Sequence, residues 1–352
     1  MGEAARAGRK PIPVTIVVGP TGAGKTTLIN RLLEDRRLAN TAVILNDFGA
    51  VALKNALVEK AEDGFIALAS GCVCCAVRGA LADGLERLLR DLDNGRIAAI
   101  ARVIIEADAA ADPAAILGAI ARHPYLSLRF TADGIVAVLD AASAAEVLAG
   151  RADTVRQLAM ADVIALSRGA AVAGLAGLNP YAAIVDASSA PAAAFVGHGD
   201  FDAEMRDLDS WLGKMDVAEA PVLAGEAARI RAFAVARQRT IPASALDRFL
   251  DYLAYLQGAS LIRVRGVVAV GDDETVIVDG IGGIFYPPLI VDRPTGAAQA
   301  TRFSVIARDL DRTTFEGYLD AFLNEARIDT PDRQALADNP LAIAGFSARS
   351  GR

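Results

Sequence analysis

Short runs of aliphatic and β-branched residues alternate with helical patterns through the first half of the chain. The runs are Val14–Val18, Ala42–Leu45, Arg102–Ile105, Ile135–Leu139, Val163–Leu166 and Ala182–Val185. Each is short and almost wholly apolar, as strands covered on both faces should be. Between them, Val77, Leu81, Leu85, Leu88 and Leu92 recur at helical spacing, and Asn94-Gly95 follows as a stop. Strands alternating with helices predict a parallel α/β sheet. From about Gly197 to Ala228 the chain is more acidic and loses its period, which reads as a connector holding the sole tryptophan, Trp211. A second pattern begins at Arg229. Arg229–Val235 reads as a strand, and Pro242 is placed just inside a helix with Leu246, Phe249, Leu250, Leu253 and Leu256 on its apolar face. Strand-like runs at Leu261–Val270, Thr275–Val278 and Phe303–Ala307, then a helix near Thr314–Leu323, predict a small α+β domain.

Composition narrows the class. With 352 residues, 53% hydrophobic and 22% charged, the chain can bury one large core or two smaller ones. No uninterrupted apolar run approaches the roughly 18 residues of a membrane span. The first ten residues are polar and small, and Ile12–Val18 is too short for a signal-peptide core, so a disordered tail and a cytoplasmic protein are expected. A net charge of −7 argues against a nucleic-acid partner. Lysine occurs five times against 31 arginines, a bias that reflects coding composition but makes each lysine worth inspecting.

Gly19-Pro-Thr21-Gly22-Ala23-Gly24-Lys25-Thr26 fits G-x-x-x-x-G-K-[ST] at every fixed position, and Thr27 follows. A strand precedes it, and a helix with Leu28, Ile29, Leu32 and Leu33 on one side comes after. Glycines allow successive N–H groups to cradle phosphate oxygens at a helix N-terminus. Lys25 is expected to neutralise the β- and γ-phosphates, and the Thr26 hydroxyl to ligate Mg²⁺. The fold predicted is a P-loop NTPase sheet. A carboxylate at the end of a neighbouring strand completes such a site. Glu106, after Val103-Ile-Ile, is the first choice, and Asp140, after Ile135–Leu139, the second.

The three cysteines, Cys72, Cys74 and Cys75, fall within four residues and precede the helix starting near Ala76. That is no disulfide framework. It reads as a thiolate metal site for Zn²⁺ or Co²⁺, with a redox pair of Cys72 and Cys75 as the alternative. His123 and His198 are isolated and read as satisfied or exposed side chains. Arg31, Arg36 and Arg37 read as a solvated helix face.

These motifs together resemble the CobW-type nucleotide-dependent metal chaperones, relatives of the HypB and UreG nickel-insertion GTPases. The likeness rests on Gly19–Thr27, Asn46-Asp47-Phe48-Gly49, Gly71-Cys-Val-Cys-Cys75, Glu106 through Asp112-Pro113, Asn179-Pro180 and Arg263-Val-Arg-Gly266, in that order. It spans roughly Pro13 to Leu323. The resemblance implies a tail (1–11), a nucleotide-binding domain (12–196), a connector (197–228), a CobW C-terminal-like α+β domain (229–330) and a final tail (331–352). It implies Mg²⁺-dependent GTP hydrolysis with Lys25, Thr26 and Glu106 at its centre. Asp47 joins the nucleotide-site residues, and metal sits at the cysteines for delivery to a client metalloprotein. Asp47, Glu59 or water is the fourth metal ligand.

Three departures change what the resemblance implies. Ala50 stands where the family has an acidic residue. The E-T-[ST]-G switch reads Glu106-Ala107-Asp108-Ala109. The N-K-x-D motif that reads guanine is replaced by Ser167-Arg168-Gly169-Ala170. Losing the aspartate at Ala170 predicts weaker discrimination between GTP and ATP. A non-hydrolysing nucleotide sensor and a P-loop small-molecule kinase are the competing functions.

Overall fold

In the computed structural model, residues 10–46, 66–70, 77–169, 171–199, 224–271, 274–292 and 301–323 are described. The elements are β1 (Ile12–Val18), α1 (Lys25–Leu33), β2 (Thr41–Asn46), β3 (Ile66–Ser70), α2 (Val77–Asp93), β4 (Arg102–Glu106), α3 (Pro113–Ala121), α4 (Leu126–Arg129), β5 (Phe130–Asp140), α5 (Ala144–Gly150), α6 (Ala152–Met160), β6 (Val163–Ser167), α7 (Leu175–Leu178) and β7 (Ala183–Asp186). There follow β8 (Ile230–Arg237), α8 (Ala243–Leu256), β9 (Leu261–Val270), β10 (Glu274–Ile281), β11 (Ile284–Phe285), β12 (Leu289–Asp292), β13 (Thr301–Arg308) and α9 (Arg312–Leu323).

Among the described residues, β1–β7 form one seven-stranded sheet in the order β3-β2-β4-β1-β5-β6-β7. Every pairing in it is parallel. The two-sided burial expected of such strands is met: Val14, Ile16, Val17 and Val18 of β1 are all fully buried. Five of the six apolar runs noted above fall within strands, and the sixth starts one residue before β7. β3 is an additional strand, an alanine-rich segment (Ile-Ala-Leu-Ala-Ser) that adds to the sheet edge beside β2.

The second sheet is antiparallel, in the order β11-β10-β9-β13-β8, with β12 also paired to β10. α8 and α9 cover one face. Phe249 packs edge-on against Phe303 at 5.7 Å and Phe315 at 5.8 Å. Such pairs contribute about 0.5–1.5 kcal/mol beyond area burial. Pro242 is not inside α8 but immediately before it. Its extended backbone (ψ 139°) starts the helix through its carbonyl, which accepts from Ala245 N at 2.9 Å. Similarly, Arg229 closes a short 3-10 turn, and the strand begins at Ile230.

The two sheets meet at the end of the parallel sheet where β5 and β6 begin. Asp162, directly before β6, is buried against Arg263 (Oδ1–Nη2, 3.2 Å) and Arg265 of β9. Arg263 also donates to Asp279 of β10 at 2.8 Å. Burial alone would push the Asp162 carboxyl up; the two guanidiniums outweigh it and hold it below the usual carboxylate range. A second buried knot lies alongside. Thr15 donates to Asp133 at 2.7 Å, and Arg102 pairs with the same carboxylate. Asp133 is the extra residue at a register shift between β1 and β5. Among the described residues, no helix is long and apolar enough to cross a membrane.

Candidate functional site

β1 ends at Val18, and the chain turns sharply at Gly19. Its φ is +136°, and a Cβ there would sit 2.1 Å from the Val138 carbonyl oxygen of β5. Only glycine fits that close approach. The turn continues through Gly22 and Gly24, both at positive φ, and Gly24 (φ 103°) caps α1 without a side-chain bond. Thr21, Gly22, Thr26 and Thr27 are exposed, whereas Ala23 is buried. Lys25 opens α1 and is 9% exposed. Its Nζ donates to the carbonyls of Gly19 at 2.8 Å and Pro20 at 3.2 Å, across the mouth of its own loop. Burial lowers the lysine pKa, and the nearby carboxylates of Glu106 and Asp108 oppose that shift.

β4 neighbours β1 in register, with Val17 opposite Glu106. Glu106 therefore emerges beside the glycine-rich turn. The Thr26 hydroxyl donates to both its oxygens, at 2.9 and 3.1 Å. Asp140 leaves the sheet on the other side of β1 and is differently engaged. One of its oxygens pairs with the Arg168 guanidinium, and the other accepts from Ala142 N at 3.1 Å. Of the two candidate carboxylates, Glu106 touches Thr26 and Asp140 is held by an arginine. A hydroxyl and a carboxylate converging beside a lysine form an all-oxygen donor set that suits Mg²⁺.

Ser167, at the end of β6, donates to the Ala23 carbonyl at 2.7 Å and so ties the strand to the glycine-rich turn. Arg168 follows at φ +54°, with its side chain turned back to Asp140. Asp186, ending β7, closes a tight turn by accepting from Ser188 N and Ser188 Oγ, both at 2.6 Å.

Ser167 and Asp108 entered the sequence analysis only as departures from the family's motifs, without the contacts they make here. Arg31 is a correction: it does not lie on a solvated face. It is half-buried, donates to the Ala190 carbonyl at 2.7 Å and stacks 5.4 Å from the Phe195 ring. Its long side chain reaches the segment after β7, a contact that helix periodicity cannot show. Arg37 remains largely exposed and pairs with Asp35. His123 accepts from Leu126 N and lies 3.4 Å from Glu86, and His198 contacts the Ala194 carbonyl. Asp47, Ala50, Glu59, Cys72, Cys74, Cys75 and Ala170 lie outside the described residues. β2 and β3 are parallel, with Asn46 opposite Ser70. β2 ends at Asn46 and β3 at Ser70, at the end of the sheet where Glu106 also ends its strand.

Residues 13–181 match the family described as CobW/HypB/UreG, nucleotide-binding domain, and residues 230–323 match the cobalamin synthesis protein cobW C-terminal domain. The zinc chaperone YjiA of Escherichia coli is 28% identical over 292 residues, covering 81% of this chain and 90% of that protein. Zinc-regulated GTPase metalloprotein activator 1 of Schizosaccharomyces pombe is 31% identical over 165 residues, covering 45% of this chain but 39% of that protein. The crystal structure of Zn(II)-bound YjiA GTPase from E. coli shares the fold, with a TM-score of 0.63 at 23% identity over 89% of this chain and 99% of that one. A Zn(II)-bound triple mutant of YjiA superposes with a TM-score of 0.66 at 24% identity over the same shares.

Proposed function

The chain belongs to the CobW/HypB/UreG family, joining that nucleotide-binding domain to a CobW C-terminal domain, and from this we propose a slow GTPase that carries zinc to a client metalloprotein. The contact of Thr26 with Glu106 beside the buried Lys25 is the observation that carries this reading. In it, the N–H groups from Thr21 to Thr27 cradle the phosphates, and Lys25 exchanges the carbonyls of Gly19 and Pro20 for phosphate oxygens. Thr26 and Glu106 would hold Mg²⁺, which neutralises charge on the phosphoryl oxygens. Asp140, already paired with Arg168, has no part in it.

The metal cargo is assigned to Cys72, Cys74 and Cys75, with Zn²⁺ preferred over Co²⁺ because the relatives above are named for zinc. Support for coupling comes from topology. β2 and β3, which precede Asp47 and the cysteines in the chain, end at the same end of the sheet as Glu106. A nucleotide change that shifts this end reaches both sites. The client is a protein, and the reading places the cycle in the cytoplasm without nucleic acid or membrane.

A second reading, an ATP-tolerant sensor that hydrolyses little, is favoured by one specific observation. The segment in the place of the guanine-reading motif is committed inward, Ser167 to Ala23 and Arg168 to Asp140. One experiment separates the two: GTP and ATP turnover measured with and without Zn²⁺ on the same purified protein. Zinc-responsive GTP turnover supports the chaperone. Tight nucleotide binding with no turnover under any metal condition supports the sensor.

A further inference from the structure

Between Glu106 and α3 the chain makes a compact turn whose every anchor is visible. Ala107 N extends the sheet to the Val17 carbonyl at 2.9 Å. Ala111 N closes the turn on the Asp108 carbonyl at 3.0 Å, and the Asp108 carboxylate accepts from Ala110 N at 2.9 Å. Asp112 caps α3 through Ala114 N at 2.9 Å and lies 3.4 Å from Arg156 of α6.

The neighbouring residue of α6, Gln157, is the unusual one. It is 1% exposed, and its amide nitrogen donates to two carbonyls of the turn, Ala109 at 3.0 Å and Ala111 at 2.8 Å. Two carbonyl oxygens can be met only by the NH2 end of the amide, so the chemistry fixes its orientation. The same orientation leaves Gln157 Oε1 buried without a partner among the described residues. An apolar side chain would spare this oxygen but leave the Ala109 and Ala111 carbonyls without their donor. What Gln157 adds, and an apolar residue cannot, is a fixed direction for the backbone of the turn.

We infer that Gln157 is a positioning residue for the terminal phosphate of the bound nucleotide. This rests on the reading that the glycine-rich turn takes the triphosphate. The two peptide planes flanking Ala109 are both held, one by the Asp108–Ala111 bond and the other by Gln157. The first of these planes carries the Ala109 N–H, and Gln157, by holding the second, keeps the turn around it in place. The turn starts at Glu106, whose carboxylate accepts from Thr26, and its first residue, Ala107, is bonded to the strand that leads into the glycine-rich turn. On that reading the last phosphoryl group of a triphosphate is the part that would face this turn, and a diphosphate lacks it. Gln157 therefore contributes to triphosphate affinity and turnover, not to diphosphate affinity. Its influence passes entirely through the backbone it holds.

The test is Gln157→Met, which keeps length and volume and removes both donors. Affinity for a non-hydrolysable GTP analogue and for GDP is measured with Mg²⁺, alongside kcat and KM for GTP. The expected result is an affinity for the analogue about tenfold weaker, the loss of roughly one hydrogen-bonding contact. GDP affinity stays unchanged, and kcat falls more than KM rises. Equal losses for both nucleotides, or none, overturn the inference while leaving the phosphate-loop reading intact. Wild-type protein that binds neither nucleotide overturns both. Should Gln157→Met not fold, amide exchange in the wild-type protein decides. Residues 108–112 are expected to gain protection with the GTP analogue over GDP, and equal protection overturns the assignment.

Discussion

The two ends of the parallel sheet both carry buried charge, and they handle it differently. Where the strands begin, Asp162 faces Arg263 and Arg265, and Asp133 faces Arg102 and Thr15, so each carboxylate is neutralised by side chains of the chain itself. Where the strands finish, Asp140 is likewise paired with Arg168, but the buried ammonium of Lys25 meets backbone carbonyls and among the described residues forms no ion pair. Glu106 is met there by a neutral hydroxyl. Permanent pairing locks the second sheet onto the first. Conditional pairing leaves a cation and a carboxylate ready to exchange partners when a charged ligand arrives. A buried charge is thus a clue to ligand binding chiefly where its partners are neutral.

The contrast can be broken most forcefully at the lysine. Lys25→Ala is expected to weaken GTP binding by at least about a hundredfold, since charged hydrogen bonds contribute about 1.5–3 kcal/mol each. Its melting temperature should hold or rise, because a desolvated cation has been removed. Calorimetric titration and a thermal melt on one sample check both halves; undiminished affinity contradicts the phosphate-loop assignment.

The opposite end should respond in the opposite sense. Arg263→Leu takes one of two guanidiniums from Asp162 and the donor from Asp279; breaking a buried pair costs about 3–5 kcal/mol, with the low end expected here because Arg265 stays on Asp162. Nucleotide affinity of the folded fraction should stay within about twofold, because Asp162 and Ser167 lie at opposite ends of β6. Denaturant unfolding gives the first quantity and equilibrium titration the second. A large affinity loss without destabilisation would reverse the roles assigned to the two ends.

Smaller and more selective effects are expected around the rim. Glu106→Gln should slow GTP hydrolysis by about tenfold to a hundredfold while nucleotide binding changes by only a few-fold, as for a group that places the metal. Asp140→Asn should do less, its carboxylate being held by Arg168. A larger effect from Asp140→Asn would make it the metal carboxylate. Finest of all is base discrimination. Without an aspartate at Ala170, competition titrations should put ATP within about a hundredfold of GTP. Preference beyond about a thousandfold would mean that guanine is read elsewhere. The triple change Ser167→Asn, Arg168→Lys and Ala170→Asp should then sharpen GTP preference.

Legibility followed the same division. The glycine-rich turn, Lys25, Thr26 and Glu106 were readable because backbone sterics and phosphate chemistry force those residue types at fixed spacing. Strand centres were readable because two-sided burial demands unbroken apolar runs. The helices α3 and α5 were not, since Pro113–Ala121 and Ala144–Gly150 are rich in alanine, which gives little contrast between faces. The lock between the sheets was invisible: Asp162 and Arg263 are common charge types a hundred residues apart. Gln157 gave no signal either, because its partners are backbone carbonyls, which every residue possesses. The exchange of an N-K-x-D motif for Ser167-Arg168-Gly169 was visible as a loss. The contacts that now fill the place, to Ala23 and Asp140, required the fold.

On this reading nucleotide and cargo metal are linked, and the linkage can be measured directly. Zn²⁺ affinity of the full chain would be determined by chelator competition under three conditions: without nucleotide, with Mg²⁺ and GDP, and with Mg²⁺ and a non-hydrolysable GTP analogue. Coupling free energies of about 1–3 kcal/mol are typical between linked sites, so the analogue should shift zinc affinity at least about fivefold from the nucleotide-free value. By reciprocity, saturating zinc should shift affinity for the analogue by the same factor. Zinc affinities that are equal in all three conditions would contradict the account.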